Sequence, residues 1–274
     1  MILPLEFSGN ICYNTRSNKI LGGNYEALYP PLLSNSLYRR LQRNMNILSL
    51  LRRLTKFEIG LWLCSVIVIT ISFLLPSEKD ILTLIASLIG VTALIFVAKG
   101  WVIGQAMTVL FAVVYGIISL IYGYYGEMIT YLFMSAPAAA VAVISWLRHP
   151  YKDEKVVEIS SVTKKQVLIA LLLTCAVTVL FYFILGALGT ANLFVSTLSV
   201  TTSFFASSLT FLRSPYYALV YCTNDIVLIV LWGFASLDSL SYLPMVLCFV
   251  MFLANDIYGF YNWKRMKKAQ SQSN

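Results

Sequence analysis

The chain has 274 residues, 59% hydrophobic and only 12% charged, with a mean hydropathy of +0.77 and a formal net charge of +8. A soluble domain carries about twice that charged fraction, so the composition excludes an ordinary globular domain and points to an all-α integral membrane protein. The bases sit between apolar runs rather than along one face, which speaks for membrane orientation and against nucleic-acid binding.

In chain order, Met1 to Tyr38 has no basic start followed by an apolar core, and no cleaved signal peptide is expected. From Leu37 to Leu54, the residues Leu37, Leu41, Met45, Leu48, Leu51 and Leu54 recur at helical spacing, with Arg39, Arg40, Arg43 and Arg53 between them. Two readings stand for this stretch: a basic amphipathic helix lying on an anionic leaflet, or a solvated juxtamembrane segment. Then come eight runs long enough to cross a bilayer: Phe57–Leu75, Ile81–Ala98, Trp101–Tyr122, Met128–Leu147, Gln166–Leu188, Ala191–Leu212, Tyr216–Ala235 and Tyr242–Trp263. Short connections carrying Gly, Pro or Ser join them, except for the long one from Arg148 to Lys165.

The bases orient these spans. Arg52, Arg53, Lys56, Lys99, Arg148, Lys152, Lys155, Lys164, Lys165, Arg213, Lys264, Arg265, Lys267 and Lys268 all fall on one side of an eight-span chain. Lys79 alone falls on the other, beside Glu78, Asp80, Glu127 and Asp238. The positive-inside rule then places both termini in the cytoplasm of a multi-pass protein of the cell's inner (plasma) membrane. The expected division is a cytoplasmic segment 1–54, a first membrane repeat 55–147, a cytoplasmic loop 148–165, a second repeat 166–263 and a basic cytoplasmic tail 264–274.

Several chemistries are excluded. Four of the five cysteines lie in apolar runs without paired spacing, His149 is the one histidine, and neither a GxxxxGK[ST] loop nor a GxSxG elbow occurs. No enzyme, metal site or cofactor is expected.

The halves repeat. Lys99-Gly100 and Arg213-Ser214-Pro215 join the second and third spans of each trio, and each half ends in a tryptophan followed by bases, Trp146-Leu147-Arg148 and Trp263-Lys264-Arg265. An even number of spans per half makes this a parallel repeat, a plan of secondary transporters whose site lies between the halves.

Intramembrane polar groups are costly and face the bundle interior. Tyr217, Tyr221, Asn224 and Asp225 share one stripe of span seven, and Asn255, Asp256, Tyr258 and Asn262 one broad face of span eight. Gln105, Thr108, Tyr115, Ser119 and Tyr122 line span three. Plainer readings stand beside each: tyrosine stripes pack, Gln105 and Asn262 serve as interhelical glue, Asp256 pairs with Asn224 or a phenol, and Glu127 complements a helix N-terminus. Pro137 reads as a packing or hinge feature. Asp225 is harder to explain structurally, because no span holds a base to neutralise it. The candidate ligand-binding set is Gln105, Tyr115, Tyr217, Tyr221, Asn224, Asp225, Asn255 and Asp256, with Tyr115 and Tyr221 expected to flank a ligand ring. A tyrosine-lined lumen with carboxyls and no fixed cation suits a small polar ligand that is neutral or positively charged and carries an aromatic ring to stack, and disfavours a phosphate ester.

The stretches AKGWVIGQ (from Ala98), YGIISLIYGYYGEMITYLFMSAPAAAVAVISWLRHPY (from Tyr115) and NDIYGFYNWKR (from Asn255) resemble the PnuC family of nicotinamide riboside transporters over roughly Phe57 to Lys268. The resemblance implies a SWEET-like pair of three-helix bundles, spans two to four and six to eight, with span five linking them and span one extra. It implies facilitated diffusion of a pyridinium nucleoside and a homotrimer. At the family's span-seven ligand pattern this chain has Ala218, Tyr221 and Asp225, so the acidic end matches and the tryptophans are replaced. Uptake of nicotinamide riboside or a related vitamin by facilitated diffusion is the leading expectation. A proton-coupled vitamin symporter and a membrane subunit of an ATP-driven vitamin importer are the alternatives.

Overall fold

The computed structural model describes residues 52–74, 76, 81–121, 125–152, 155–190 and 192–273. The segment 1–35 and the basic repeat from Leu37 to Leu51 lie outside them. Among the described residues, eight helices are long and apolar enough to cross a membrane: α1 (Lys56–Leu74), α2 (Ile81–Ala98), α3 (Val102–Ile121), α4 (Tyr125–Arg148), α5 (Lys164–Ala187), α6 (Leu193–Phe211), α7 (Tyr217–Asp238) and α8 (Leu243–Gln272). The described residues form no named strand; two isolated bridges, Trp101 with Val156 and Pro150 with Val157, hold the α4–α5 connection under the α2–α3 turn.

Local chemistry explains the boundaries. Thr55 and Glu58 form a capping box at α1: the Glu58 N–H donates to the Thr55 hydroxyl at 3.3 Å, and the Thr55 N–H donates to the Glu58 carboxylate at 2.6 Å. Thr163 and Gln166 repeat this box at α5. α4 passes through a π-helical turn at Thr130–Ser135, immediately before Pro137. Proline lacks the N–H that an α-helical register needs, and a wider turn next to it absorbs the mismatch. α8 does not stop at Trp263. It continues to Gln272, where the Gln270 amide accepts from the Ile159 N–H at 2.8 Å and donates to the Val157 carbonyl at 3.0 Å. Within the spans, Ser and Thr hydroxyls turn back on carbonyls of the preceding turn, as Ser65 does on Leu61 and Thr174 on Ala170, which keeps them satisfied without water.

Two trios of helices, α2–α3–α4 and α6–α7–α8, pack around one axis. α8 reaches across to α2, and α4 makes the equivalent reach to α6. The equivalence extends to single bonds. α2 ends with Gly100 in the left-handed region (φ 68°), its N–H on the Val97 carbonyl and the Trp101 N–H on the Phe96 carbonyl. α6 ends with Arg213 at φ 57°, with the same pattern on Thr210 and Leu209. This is the Schellman closure twice over. The Trp263 indole donates to the Val97 carbonyl at 2.9 Å, and the Trp146 indole donates to the Thr210 carbonyl at 3.0 Å. Asn262 donates to the Ala98 carbonyl and Ser145 to that of Phe211. The two buried indoles pack at 5.3 Å between ring centres, beside Tyr217. They close the axis at the end that carries the bases. At that end α2 and α3 approach so closely that a Cβ on Gly104 would lie 2.4 Å from the Val97 nitrogen.

α1 stands outside the trios and packs on α2 and α8. Polar bonds hold it there: the Trp62 indole donates to Thr92 at 3.1 Å, the Asn255 amide donates to Ser65 at 2.9 Å, and Lys99 pairs with Glu58 at 2.9 Å. Its opposite face is apolar and exposed, at Phe57, Leu63, Ile67 and Ile71, as a lipid-facing helix requires.

Candidate functional site

Two chambers lie in series between the trios. The outer one, about 550 Å³, reaches the helix ends opposite the bases, where Glu127, Gly189, Thr190 and Tyr242 line it. The inner one, about 110 Å³, is lined by Gln105, Tyr217, Tyr221, Asn224, Asp225 and Asp256 among others, and lies above the indole closure. Tyr131, Ser135, Ser203, Asn224 and Leu228 wall both. Tyr131 and Ser135 belong to the π turn, so the widened register places its side chains at the neck of the lumen. The Tyr131 ring packs at 4.6 Å on Tyr115 and edge-on against Phe111 at 5.8 Å.

In the inner chamber Asp225 and Asp256 are both buried, at 2% and 4% exposure, and their carboxyl groups lie within hydrogen-bonding reach of one another. A carboxylate only accepts, so a bond between two carboxyls requires a proton on one of them. Asp225 Oδ2 and the Tyr217 hydroxyl are buried without a partner among the described residues, and such groups are costly in a dry interior unless a ligand or solvent meets them. The surrounding side chains are anchored. Asn224 Oδ1 accepts from Thr202 at 2.8 Å, and the Tyr221 hydroxyl bonds Ser207 at 2.8 Å. No Lys, Arg or His is among the described residues lining either chamber.

Of the eight candidate residues, six line the inner chamber: Gln105, Tyr217, Tyr221, Asn224, Asp225 and Asp256. Two are placed elsewhere. Asn255 points away from the axis, to Ser65 of α1 and the Met251 carbonyl, because the next residue along a helix faces about 100° away. Tyr115 lines the outer chamber and donates to Glu127 at 3.2 Å, so it does not flank a common site with Tyr221. The polar face of α8 divides likewise. Asp256 turns to the lumen, Tyr258 to Glu58 and Asn262 to the end of α2. Asp256 pairs with Asp225 rather than with Asn224 or a phenol.

The lumen also uses residues the sequence reading passed over. Ser203, Ser207 and Thr210 of α6 line the inner chamber; Ser196, Ser199 and Ser203 line the outer one, with Trp232 of α7. The signal was present in the dense Ser and Thr run of α6, which carries no charged or amide group to single it out.

The family model described as nicotinamide mononucleotide transporter matches residues 80–265. A protein of Neisseria mucosa named nicotinamide riboside transporter PnuC is 26% identical over 222 residues, covering 79% of this chain and 84% of the relative. Its namesake in Haemophilus influenzae is 25% identical over 215 residues, covering 77% of this chain and 91% of the relative. A structure described as the crystal structure of the vitamin B3 transporter PnuC aligns with a TM-score of 0.67 at 22% identity, over 86% of this chain and 99% of that one, and supports the fold. The protein is a multi-pass membrane transporter rather than an enzyme, and with more than half of its length matched by the family model it belongs to the nicotinamide mononucleotide transporter family.

Proposed function

We propose that the protein takes up nicotinamide riboside, or a vitamin nucleoside of the same kind, by facilitated diffusion across the inner membrane, with both termini in the cytoplasm. The observation that carries this reading is a lumen lined by aromatic rings, hydroxyls and carboxyls with no fixed cation among the described residues. Such a lining suits a cationic pyridinium ring bearing a ribose, and it opposes a phosphate. Both PnuC relatives are named for the same cargo. A SWEET-like ancestry accords with the exchange symmetry of the two trios, and a homotrimer belongs to the same reading, to be read from the mass of the detergent-solubilised protein.

Purified protein in liposomes should take up labelled nicotinamide riboside and should discriminate strongly against nicotinamide mononucleotide. Equal transport of the nucleotide would overturn the charge argument. For orientation, an impermeant thiol reagent applied to intact cells should leave Ser160→Cys unlabelled in a background without the native cysteines, and outside labelling would reverse it.

The acid pair favours one second reading, a proton-coupled symporter in which Asp225 and Asp256 exchange a proton with the lumen. The same liposomes decide it: uptake driven by an imposed proton gradient and abolished by an uncoupler supports coupling, while gradient-independent uptake supports simple diffusion.

A further inference from the structure

We propose that Glu127 is the first binding station of the cargo, holding the positive ring in the outer chamber before it reaches Asp225 and Asp256; this rests on the reading of the cargo as a cationic nucleoside. Size is the first argument. Ligand pockets measure roughly 300–1,000 Å³. The outer chamber, about 550 Å³, falls in that range, whereas the inner chamber, about 110 Å³, falls short of it. In this conformation the ligand-sized space lies at Glu127 and the smaller one at the acid pair.

Geometry is the second. Glu127 lies in the first turn of α4 and lines the outer chamber. Its Oε2 accepts from the Tyr115 hydroxyl at 3.2 Å, and the Ser119 hydroxyl, which donates to the Tyr115 carbonyl at 2.9 Å, lies 3.4 Å away. A carboxylate offers about four acceptor sites, so one phenol donor on one oxygen orients the group and leaves capacity for a ligand. Its backbone position is constrained as well, since a Cβ on Gly126 would lie 2.6 Å from the Thr190 hydroxyl, which shows how tightly the start of α4 is seated on the α5–α6 turn.

Chemistry is the third. Tyr131, Trp232 and Tyr242 line the same chamber as Glu127 and present ring surface for stacking. Ser199 and Ser203 present hydroxyls, and no lysine, arginine or histidine is among the described lining residues. An aromatic cation gains there from both the carboxylate and the ring faces. A role as helix-terminal charge alone asks only for a carboxylate near the first turn. It does not account for the Tyr115 hydroxyl of α3 aiming that carboxylate into a ligand-sized space.

The test uses the full chain in detergent and compares nicotinamide riboside with its neutral dihydro form, which keeps the shape and loses the ring charge. Glu127→Gln should weaken the cation by about tenfold or more, as loss of one partly buried charge contact implies, and should leave the neutral analogue within about twofold. Glu127→Asp should fall between Glu127→Gln and wild type for the cation. An equal effect on both ligands, or none on either, overturns the assignment. Thermal unfolding of each variant separates lost binding from lost structure, and a misfolded Glu127→Gln leaves the decision to Glu127→Asp on the same two ligands. If the wild type binds neither nucleoside, the cargo reading fails on its own. Glu127 is then judged with N-methylnicotinamide, a bare pyridinium cation. Saturable quenching of tryptophan fluorescence that is lost in both Trp232→Phe and Glu127→Gln retains the station, and its absence in wild type overturns it.

Discussion

Replacing Lys99 by methionine should destabilise the protein by about 3–5 kcal/mol, the cost of leaving a buried charge without its partner. The partner is Glu58, 1% exposed at the start of α1. Its carboxylate receives Lys99 at 2.9 Å on one oxygen and 3.3 Å on the other, with the Thr55 N–H at 2.6 Å and the Tyr258 hydroxyl completing the set. Three elements meet there: α1, the α2–α3 turn and α8. Methionine keeps the length of the lysine stem and removes only its charge, so packing changes little. The Glu58→Gln/Lys99→Met double variant should recover much of the loss, because an amide can still meet Tyr258 and Thr55 with no ion left to neutralise. Thermal unfolding of all four proteins in one detergent reads this cycle. If Lys99→Met alone melts with the wild type, the ion pair is not what fastens α1 to the bundle.

The second large effect is expected at the acid pair, and it is expected to be non-additive. Asp225 and Asp256 lie within hydrogen-bonding reach of each other, and a pair that shares one proton carries one charge. Asparagine at either position replaces the protonated partner with an amide N–H donor and leaves the remaining carboxylate ionised. Asp225→Asn and Asp256→Asn should therefore each keep most of the preference for the pyridinium nucleoside over its neutral dihydro form. The double variant loses the charge altogether, and its preference should fall on the order of 100-fold, as removal of one desolvated carboxylate near a monocation implies. Competitive uptake of the two ligands into liposomes measures it. Single variants that already abolish the preference would mean that the two carboxyls act as separate charges. A double variant that keeps it would make the pair structural.

Much of the architecture was legible without coordinates. The eight spans follow from runs of apolar residues interrupted by Gly, Pro and charge, because lipid tolerates no exposed backbone and each crossing must be one continuous helix, whereas the continuation of α8 from Trp263 to Gln272 did not. The matching ends of the halves, Lys99-Gly100 with Arg213-Ser214 and Trp146 with Trp263, were visible as a repeat, and the structure gives them one job, the paired closure of the axis. The Thr55-x-x-Glu58 box is equally readable in the sequence.

What only the tertiary structure decided is which polar group meets which. Periodicity places Asn255 and Asp256 on one broad face of α8, but two helices pack on that face. α1 takes Asn255 through Ser65, and the lumen takes Asp256. Asp225 and Asp256 come from different helices, so their contact is set by the packing of α7 on α8 and is invisible to spacing along either. Glu127 reads from the sequence as a helix-terminal charge, and α3 turns it into the wall of a ligand-sized chamber. A sequence specifies which residues cannot face lipid, because that cost is local to one helix. The choice among the partners inside is a property of how eight helices are arranged, and it appears only when they are.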